Sequence, residues 1–208
     1  MSSESSPRRS PWRNKAVVAA LAAAMLAGPG IAQAAPQPAP VAGERAAAAT
    51  ITWTLVRASN PTTDQQSAYN LITTAMNAAV ARYNNLSDLG KTITVHYEPG
   101  VPTADGNING TIRFGSNRSY MTERTALLEI AHTIGVGTSS GWSSLGGSGT
   151  WTGAGATALV RQFDGSSAKI STGGGHFWPY GLNYENEFSG TAADRHVRIV
   201  AAMKADGL

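Results

Sequence analysis

The chain has 208 residues, with 16 Lys and Arg, 13 Asp and Glu, and no cysteine. Four of the basic residues and one acidic residue lie within residues 1–34, which leaves twelve of each sign in the remainder. This balance argues against a nucleic-acid or anionic-membrane partner, and the lack of cysteine excludes disulfides and thiolate chemistry.

The first 49 residues carry export and spacer signals. Basic residues precede an Ala/Val/Leu run over 16–27, and an Ala-Gln-Ala cleavage pattern closes the segment at 32–34. This order predicts a signal peptide over 1–34 and a secreted, extracellular product, because the apolar run is too short to span a bilayer. Residues 35–49 are Ala/Pro-rich and predict a linker. Residues 50–208 are long enough for one domain, which we expect to be monomeric.

The first part of that domain alternates strand and helix signals. Residues 50–57 alternate apolar and polar side chains and predict a strand. Helical spacing of apolar residues predicts a long packing helix that begins near Thr62 or Thr63 and ends at 84–85. Residues 91–98 predict a second strand, residues 99–110 a turn-rich loop, and residues 111–115 a short strand of edge type.

The segment 122–138, with the sequence TERTALLEIAHTIGVGT, predicts a helix with two different faces. Thr122 is a good N-cap, and Gly135 and Gly137 supply the stop. At 100° per residue, one face carries apolar side chains that predict core packing, namely Leu127, Ile130 and Ile134. The other face carries Leu128, Glu129 and His132.

Residues 128–132, LEIAH, resemble the HExxH motif of the zincin metalloproteases, in which two histidines bind zinc beside a general-base glutamate. Glu129 and His132 match the motif, and Leu128 stands at the position of the first histidine. Gly135 matches the glycine of the longer metzincin pattern, whereas Thr138 stands at its third ligand. The resemblance implies an α+β, zincin-like single domain with a small mixed sheet, a long packing helix, a central active-site helix and a C-terminal helix.

The second half of the chain contains one further candidate ligand. Residues 138–156 are rich in Gly, Ser and Thr and predict a long surface loop or a pair of thin strands. His176 follows three glycines and precedes an aromatic run, and we expect it to be the metal-binding partner of His132, because zinc sites often combine helix ligands with one from a distant segment. Glu185 and Glu187 are candidates for a third ligand or for a hydrogen-bond acceptor behind a histidine. Residues 191–208 predict a terminal helix, on which His196 is interpreted as a flanking charge.

A second resemblance covers residues 176–184, with the sequence HFWPYGLNY. This segment is similar to one found in a group of poorly described secreted bacterial and fungal proteins, some of which carry sugar-binding modules. Between Met121 and Met203 the chain has no methionine, so the methionine turn of the metzincins is absent.

Together these features predict a secreted, peptidase-like metallohydrolase. His132 and His176 would bind Zn²⁺, an oxygen ligand would complete the set, and Glu129 would take a proton from metal-bound water. Zinc binding is expected to be weakened or lost, because leucine at 128 cannot bind a metal and occupies the place of a ligand.

Two alternatives remain open at this point. The first is a carbohydrate-binding protein in which aromatic side chains form a platform for a polysaccharide, namely Trp142, Trp151, Phe177, Trp178, Tyr180 and Tyr184. The second is a catalytically inactive zincin scaffold that binds an extracellular peptide in its cleft. Placement of His132 and His176 distinguishes the metal-binding hypothesis from both.

Overall fold

A computed structural model of the chain describes residues 49–208, so the predicted leader 1–34 and nearly all of the linker lie outside the described residues. The elements of the described part, in chain order, are β1 (Ile51–Leu55), α1 (Thr63–Leu86), β2 (Lys91–Tyr97), β3 (Ala104–Gly106), β4 (Thr111–Phe114), α2 (Glu123–Ile134), α3 (Ser140–Gly146), α4 (Ala154–Asp164), β5 (Ser171–Gly173), β6 (His176–Trp178) and α5 (Gly190–Asp206). This is a mixed α+β architecture with a small mixed sheet, as the sequence predicted at that level.

Helix α1 begins where the sequence predicted. The Thr62 side chain accepts a hydrogen bond from the Gln65 amide, and the Gln65 side chain in turn accepts from the Thr62 amide. This reciprocal pair satisfies two of the amide groups that a helix start leaves free. One side of α1 is buried against the sheet and α2 over its whole length, which confirms its role as a packing helix.

The main sheet has the order β1-β2-β4-β3. Strands β1, β2 and β4 are parallel, whereas β3 runs antiparallel to β4 at one edge. The prediction that residues 111–115 form an edge strand is wrong, because β4 is paired on both sides. The edge strand on that side of the sheet is β3, which lies inside the segment predicted as a loop. Its three residues, Ala104-Asp105-Gly106, have low strand propensity and gain their conformation by pairing with β4.

Helix α2 lies between the sheet and the C-terminal helix and is almost completely buried. Thr122 caps its start by accepting from the Thr125 amide, and Gly135 ends it, as predicted. The apolar side packs in the core through Leu127, Ile130 and Ile134. The opposite side is also shielded, because β3 packs against it. Its ionisable groups therefore lie in a partly closed cleft rather than on an open surface.

The region after α2 differs most from its prediction. Residues 140–146 form helix α3. Ser139 caps its start, because the Ser139 side chain accepts a hydrogen bond from the Trp142 amide. Trp142 and Trp151 are buried, with ring centroids 5.9 Å apart. Two large apolar rings explain why this Gly- and Ser-rich segment folds onto the core instead of forming a loop. Asp206, at the end of α5, accepts hydrogen bonds from the first amides of α4 and ties the two helices together.

None of the helices within residues 49–208 is both long and apolar enough to span a lipid bilayer.

Candidate functional site

A cleft of about 640 Å³ lies beside the outer side of α2. Edge strand β3 forms one of its walls, and the turn between β5 and β6 together with the segment 183–185 forms another. The three predicted site residues, Glu129, His132 and His176, all line it, and so does Leu128. The structure therefore brings together side chains that are separated by up to 47 positions in the sequence.

The two histidines are direct neighbours. Their ring centroids are 5.3 Å apart, and the ring planes are nearly perpendicular at 81°. His132 is on the last turn of α2, and His176 is the first residue of β6. The predicted juxtaposition of these two imidazoles is thus observed, while their role as metal ligands stays a prediction.

Glycines make this approach possible. Gly174 and Gly175 connect β5 to β6 as a two-residue turn with positive φ angles of 57° and 83°, a conformation that favours glycine. Gly137 lies against this turn, and a Cβ at position 137 would be 2.4 Å from the carbonyl oxygen of Gly175. Since no side chain fits in that space, the close contact of the two glycine-containing loops brings the hairpin, and with it His176, to the end of α2.

Backbone carbonyls fix the tautomer of both imidazoles. His132 Nδ1 lies 2.7 Å from the carbonyl oxygen of Val136, and His176 Nδ1 lies 2.9 Å from that of Gly174. A carbonyl oxygen only accepts, so each Nδ1 carries a proton and donates it. In the neutral rings both Nε2 atoms therefore carry lone pairs, which is the arrangement that metal-binding histidines use.

Glu129 is a buried carboxyl group with an unpaired oxygen. Its exposure is 4%, and Oε2 has no hydrogen-bond partner among the described residues. Burial raises the pKa of Glu129 to about 8, with a further rise from the nearby Asp105 charge, against smaller opposing effects of Arg124 and the Gly106 backbone. The side chain is therefore mostly protonated at neutral pH, because water is too scarce around it to solvate the anion.

Burial also lowers the pKa of His132, since desolvation disfavours the imidazolium form. The Val136 carbonyl opposes this effect, and the neighbouring His176 adds to it. His132 is consequently neutral at pH 7. Neutral imidazole is the form that can bind a metal ion.

His132 and His176 are of a type that binds Zn²⁺, but they are one protein ligand short of a catalytic zinc site. Such a site has three protein ligands, and here Glu129 is assigned as the base and not as a ligand. Within residues 49–208 no group of three or more His, Cys, Asp or Glu side chains is arranged to hold a metal ion. Leu128, only 6% exposed, lines the cleft beside Glu129.

The other two carboxylates considered from the sequence have structural partners. Glu185 accepts from Arg124 Nε at 2.8 Å, and Glu187 accepts from the Asn183 backbone amide at 2.7 Å. Glu185 lines the cleft, whereas Glu187 closes the turn at 183–187. Both therefore serve first to hold the segment 183–187 in place.

Half of the proposed aromatic platform is not available to a ligand. Trp142, Trp151 and Phe177 are buried in the core, so the prediction of a six-membered stacking surface is wrong for these three. Trp178 and Tyr184 are exposed, and only Tyr184 lines the cleft. A sugar ring needs an accessible aromatic face, so the structure leaves little of this surface for a polysaccharide.

Sequence reasoning missed two residues that shape this region. Arg124 is buried on α2, and besides Glu185 it donates to the carbonyl oxygen of Leu182 at 2.7 Å. An arginine three residues before the core residue Leu127 was a signal for such a contact. Asn183 lines the cleft and gave no signal of its own in the sequence.

His196, interpreted as a flanking charge, is fully buried, which corrects that interpretation. Its Nδ1 donates to the Tyr180 carbonyl at 2.8 Å, and its Nε2 lies 3.1 Å from the Tyr83 hydroxyl. Burial lowers the pKa of His196 to about 4. This histidine therefore joins α1, α5 and the aromatic segment as a neutral, bonded part of the core.

Comparison of the chain with family models, with curated proteins and with solved structures found no match. The likeness to zincins therefore stays a resemblance, which rests on the LEIAH motif.

Proposed function

We propose that this chain is an exported, zincin-like protein of the peptidase-like metallohydrolase type whose zinc binding is weakened by Leu128. One observation carries the proposal: two imidazoles, with ring centroids 5.3 Å apart, line one cleft with a buried carboxyl group. Three ionisable groups rarely share a partly buried cleft without a ligand, because burial of each one costs free energy.

Residues His132 and His176 would hold the metal through their Nε2 atoms. A bound zinc ion supplies Lewis acidity and makes its water more acidic. Glu129 would act as the proton acceptor only in its ionised form, so at neutral pH it first has to lose the proton that burial favours. A nearby positive charge lowers the pKa of a carboxyl group, and metal loading would therefore also prepare the base.

An extended polypeptide suits the cleft best as its ligand. Strand β3 is paired only with β4, and the cleft is lined by Thr103 and by the three residues of β3, Ala104, Asp105 and Gly106. An unpaired strand edge offers backbone donors and acceptors at the spacing of another extended chain. Leu128 adds an apolar contact in the same cleft. The wild-type protein would thus bind polypeptide with little hydrolysis.

The test is the zinc content of the purified mature protein compared with Leu128→His. We expect the wild type to keep less than one zinc per chain after dialysis and Leu128→His to keep about one, with affinity higher on the order of 100-fold, about 2.7 kcal/mol. The physical reason is the third nitrogen that histidine adds. Inductively coupled plasma mass spectrometry and competition with a chelating dye measure both quantities.

Leu128→Gln is the matched control, because glutamine is polar and similar in size but a poor zinc ligand. Hydrolysis of a fluorescently labelled denatured protein, measured with and without zinc, adds a second readout. Equal zinc affinity in Leu128→His and Leu128→Gln would refute the metal assignment. Zinc binding by Leu128→His that persists after His176→Ala would remove His176 from the site.

A further inference from the structure

Two buried side-chain atoms in residues 49–208 have no hydrogen-bond partner, and both belong to residues that line the same cleft. They are Glu129 Oε2 and Asn183 Oδ1. Both residues line the cavity beside α2. Buried polar atoms are normally bonded, and an unbonded one is costly. The coincidence of both atoms in one cleft points to a ligand that bonds them.

Every other polar group of Asn183 is already engaged. Its backbone amide donates to Glu187 at 2.7 Å, and its backbone carbonyl accepts from Arg124 at 3.4 Å. The side-chain Nδ2 donates to the carbonyl oxygen of Phe177 at 2.9 Å. This last bond fixes the side-chain orientation, because a flipped amide would place Oδ1 against another acceptor. Asn183 Oδ1 is therefore an acceptor that still requires a hydrogen-bond donor.

One helix positions both atoms. Glu129 is part of α2, and Arg124, one and a half turns earlier on α2, binds the carbonyl oxygens of Leu182 and Asn183. Arg124 is only 4% exposed and also bonds Thr125 and Glu185, so its guanidinium is held on several sides. The segment that carries Asn183 is thus attached to the same rigid element that carries Glu129. A pair held in this way is preorganised for a ligand.

We propose that Asn183 and Glu129 form a recognition pair for one amide unit of a polypeptide ligand, in which Asn183 Oδ1 accepts the amide N–H. This inference rests on the proposed function, because it assumes that polypeptide enters the cleft along β3. An amide carries a donor for Asn183 Oδ1 and a second polar atom that can bond Glu129 Oε2. Asn183 is then a binding residue that selects a ligand with an N–H at one position.

The experiment uses a blocked hexapeptide of alternating Ala and Ser as the probe, titrated into ¹⁵N-labelled mature protein. Six ester analogues replace one backbone N–H at a time by oxygen, which removes a donor and keeps the shape. We expect one ester position to lower the affinity of the wild type by about tenfold, because Asn183 Oδ1 is left without its donor. The affected resonances should include residues 128–132 and 181–185.

Two variants distinguish recognition from a structural role. Both Asn183→Ala and Asn183→Asp lose the bond to Phe177, but Asn183→Asp keeps an acceptor oxygen, with a second carboxylate oxygen and a negative charge in place of Nδ2. The sensitivity to the ester should disappear in Asn183→Ala and persist in Asn183→Asp. Equal loss in both variants would mean that Asn183 only holds its loop, and thermal unfolding of each variant reports whether the fold is intact.

Other outcomes contradict the proposal directly. Failure of the hexapeptide to shift any cleft resonance would exclude polypeptide, and so would Asn183-dependent binding of N,N′-diacetylchitobiose that is tighter than the peptide. The zinc measurement on Leu128→His does not involve Asn183. The metal assignment and the recognition pair can therefore fail independently of each other.

Discussion

Helix α2 has buried ionisable chemistry on both of its sides, and the two sides differ in how completely their polar atoms are bonded. On the core side, His196 is enclosed by Tyr83 and by the backbone carbonyls of Tyr180 and Leu127. On the cleft side, Glu129 keeps an oxygen without a partner, and the hydrogen bonds of His132 and His176 to backbone carbonyls use only Nδ1.

This difference separates two kinds of buried polar group. A buried histidine whose ring nitrogens are both bonded stabilises the fold and has no capacity left for a ligand. Buried groups that remain incompletely bonded beside a cavity decrease stability and mark a place where a ligand can bind. We therefore expect the polar groups on the cleft side of α2 to lower the free energy of unfolding and those on the core side to raise it.

The largest effect is expected from the pH dependence of Glu129. Its pKa is about 8 in the folded chain against 4.5 for the exposed group, so between these values the folded state binds more protons than the unfolded state. The free energy of unfolding should therefore fall as pH rises, by about 4 kcal/mol between pH 5 and pH 9. Urea denaturation across this range measures it.

Glu129→Gln is the control for that profile, because glutamine resembles the protonated acid and does not titrate. In this variant the free energy of unfolding should not show the fall with rising pH that Glu129 causes, so the variant should be more stable than the wild type at pH 9. Parallel profiles for the two proteins would show that Glu129 is ionised in the fold, and the contrast between the two sides of α2 would fail.

The next effect is expected from His196→Ala. The change removes a buried ring and leaves the Tyr83 hydroxyl and the Tyr180 carbonyl without this partner, which should lower the free energy of unfolding by about 3 kcal/mol. His176→Ala is the matched change on the cleft side. Because His176 is half-buried and bonds only the nearby Gly174, its loss should cost less than about 1 kcal/mol. Urea denaturation measures both changes. A similar loss of unfolding free energy in the two variants would contradict the distinction between the core side and the cleft side of α2.

The smallest of the three effects concerns acid. Burial lowers the pKa of His196 to about 4, so the unfolded chain takes up a proton below pH 6.5 that the folded chain refuses. The stability supplied by neutral His196 is present above pH 6.5 and should fall by about 2 kcal/mol between pH 7 and pH 5. NMR titration of the His196 ring, combined with denaturation at both pH values, measures it. A His196 pKa near 6.5 would contradict the assignment.

Local signals were sufficient to predict the helices that form the framework. The Thr62 and Thr122 caps and the stop at Gly135 gave the starts of α1 and α2 and the end of α2, because capping depends on residues within one turn. The same local geometry placed Glu129 and His132 on one side of α2. Edge strand β3 and helix α3 were not predicted, since the first depends on pairing with β4 and the second on burial of Trp142 and Trp151.

The candidate site divides in the same way. The local pattern is enough to place a glutamate and a histidine on one side of a capped helix, since helical periodicity fixes the direction of side chains three residues apart. The contact of His176 with His132, the position of Asn183 in the lining of the same cleft and the burial of His196 in the core all depend on the folded chain. These outcomes depend on contacts such as Gly137 with Gly175 and Arg124 with Leu182, which join distant segments through packing and hydrogen bonds that no local pattern contains.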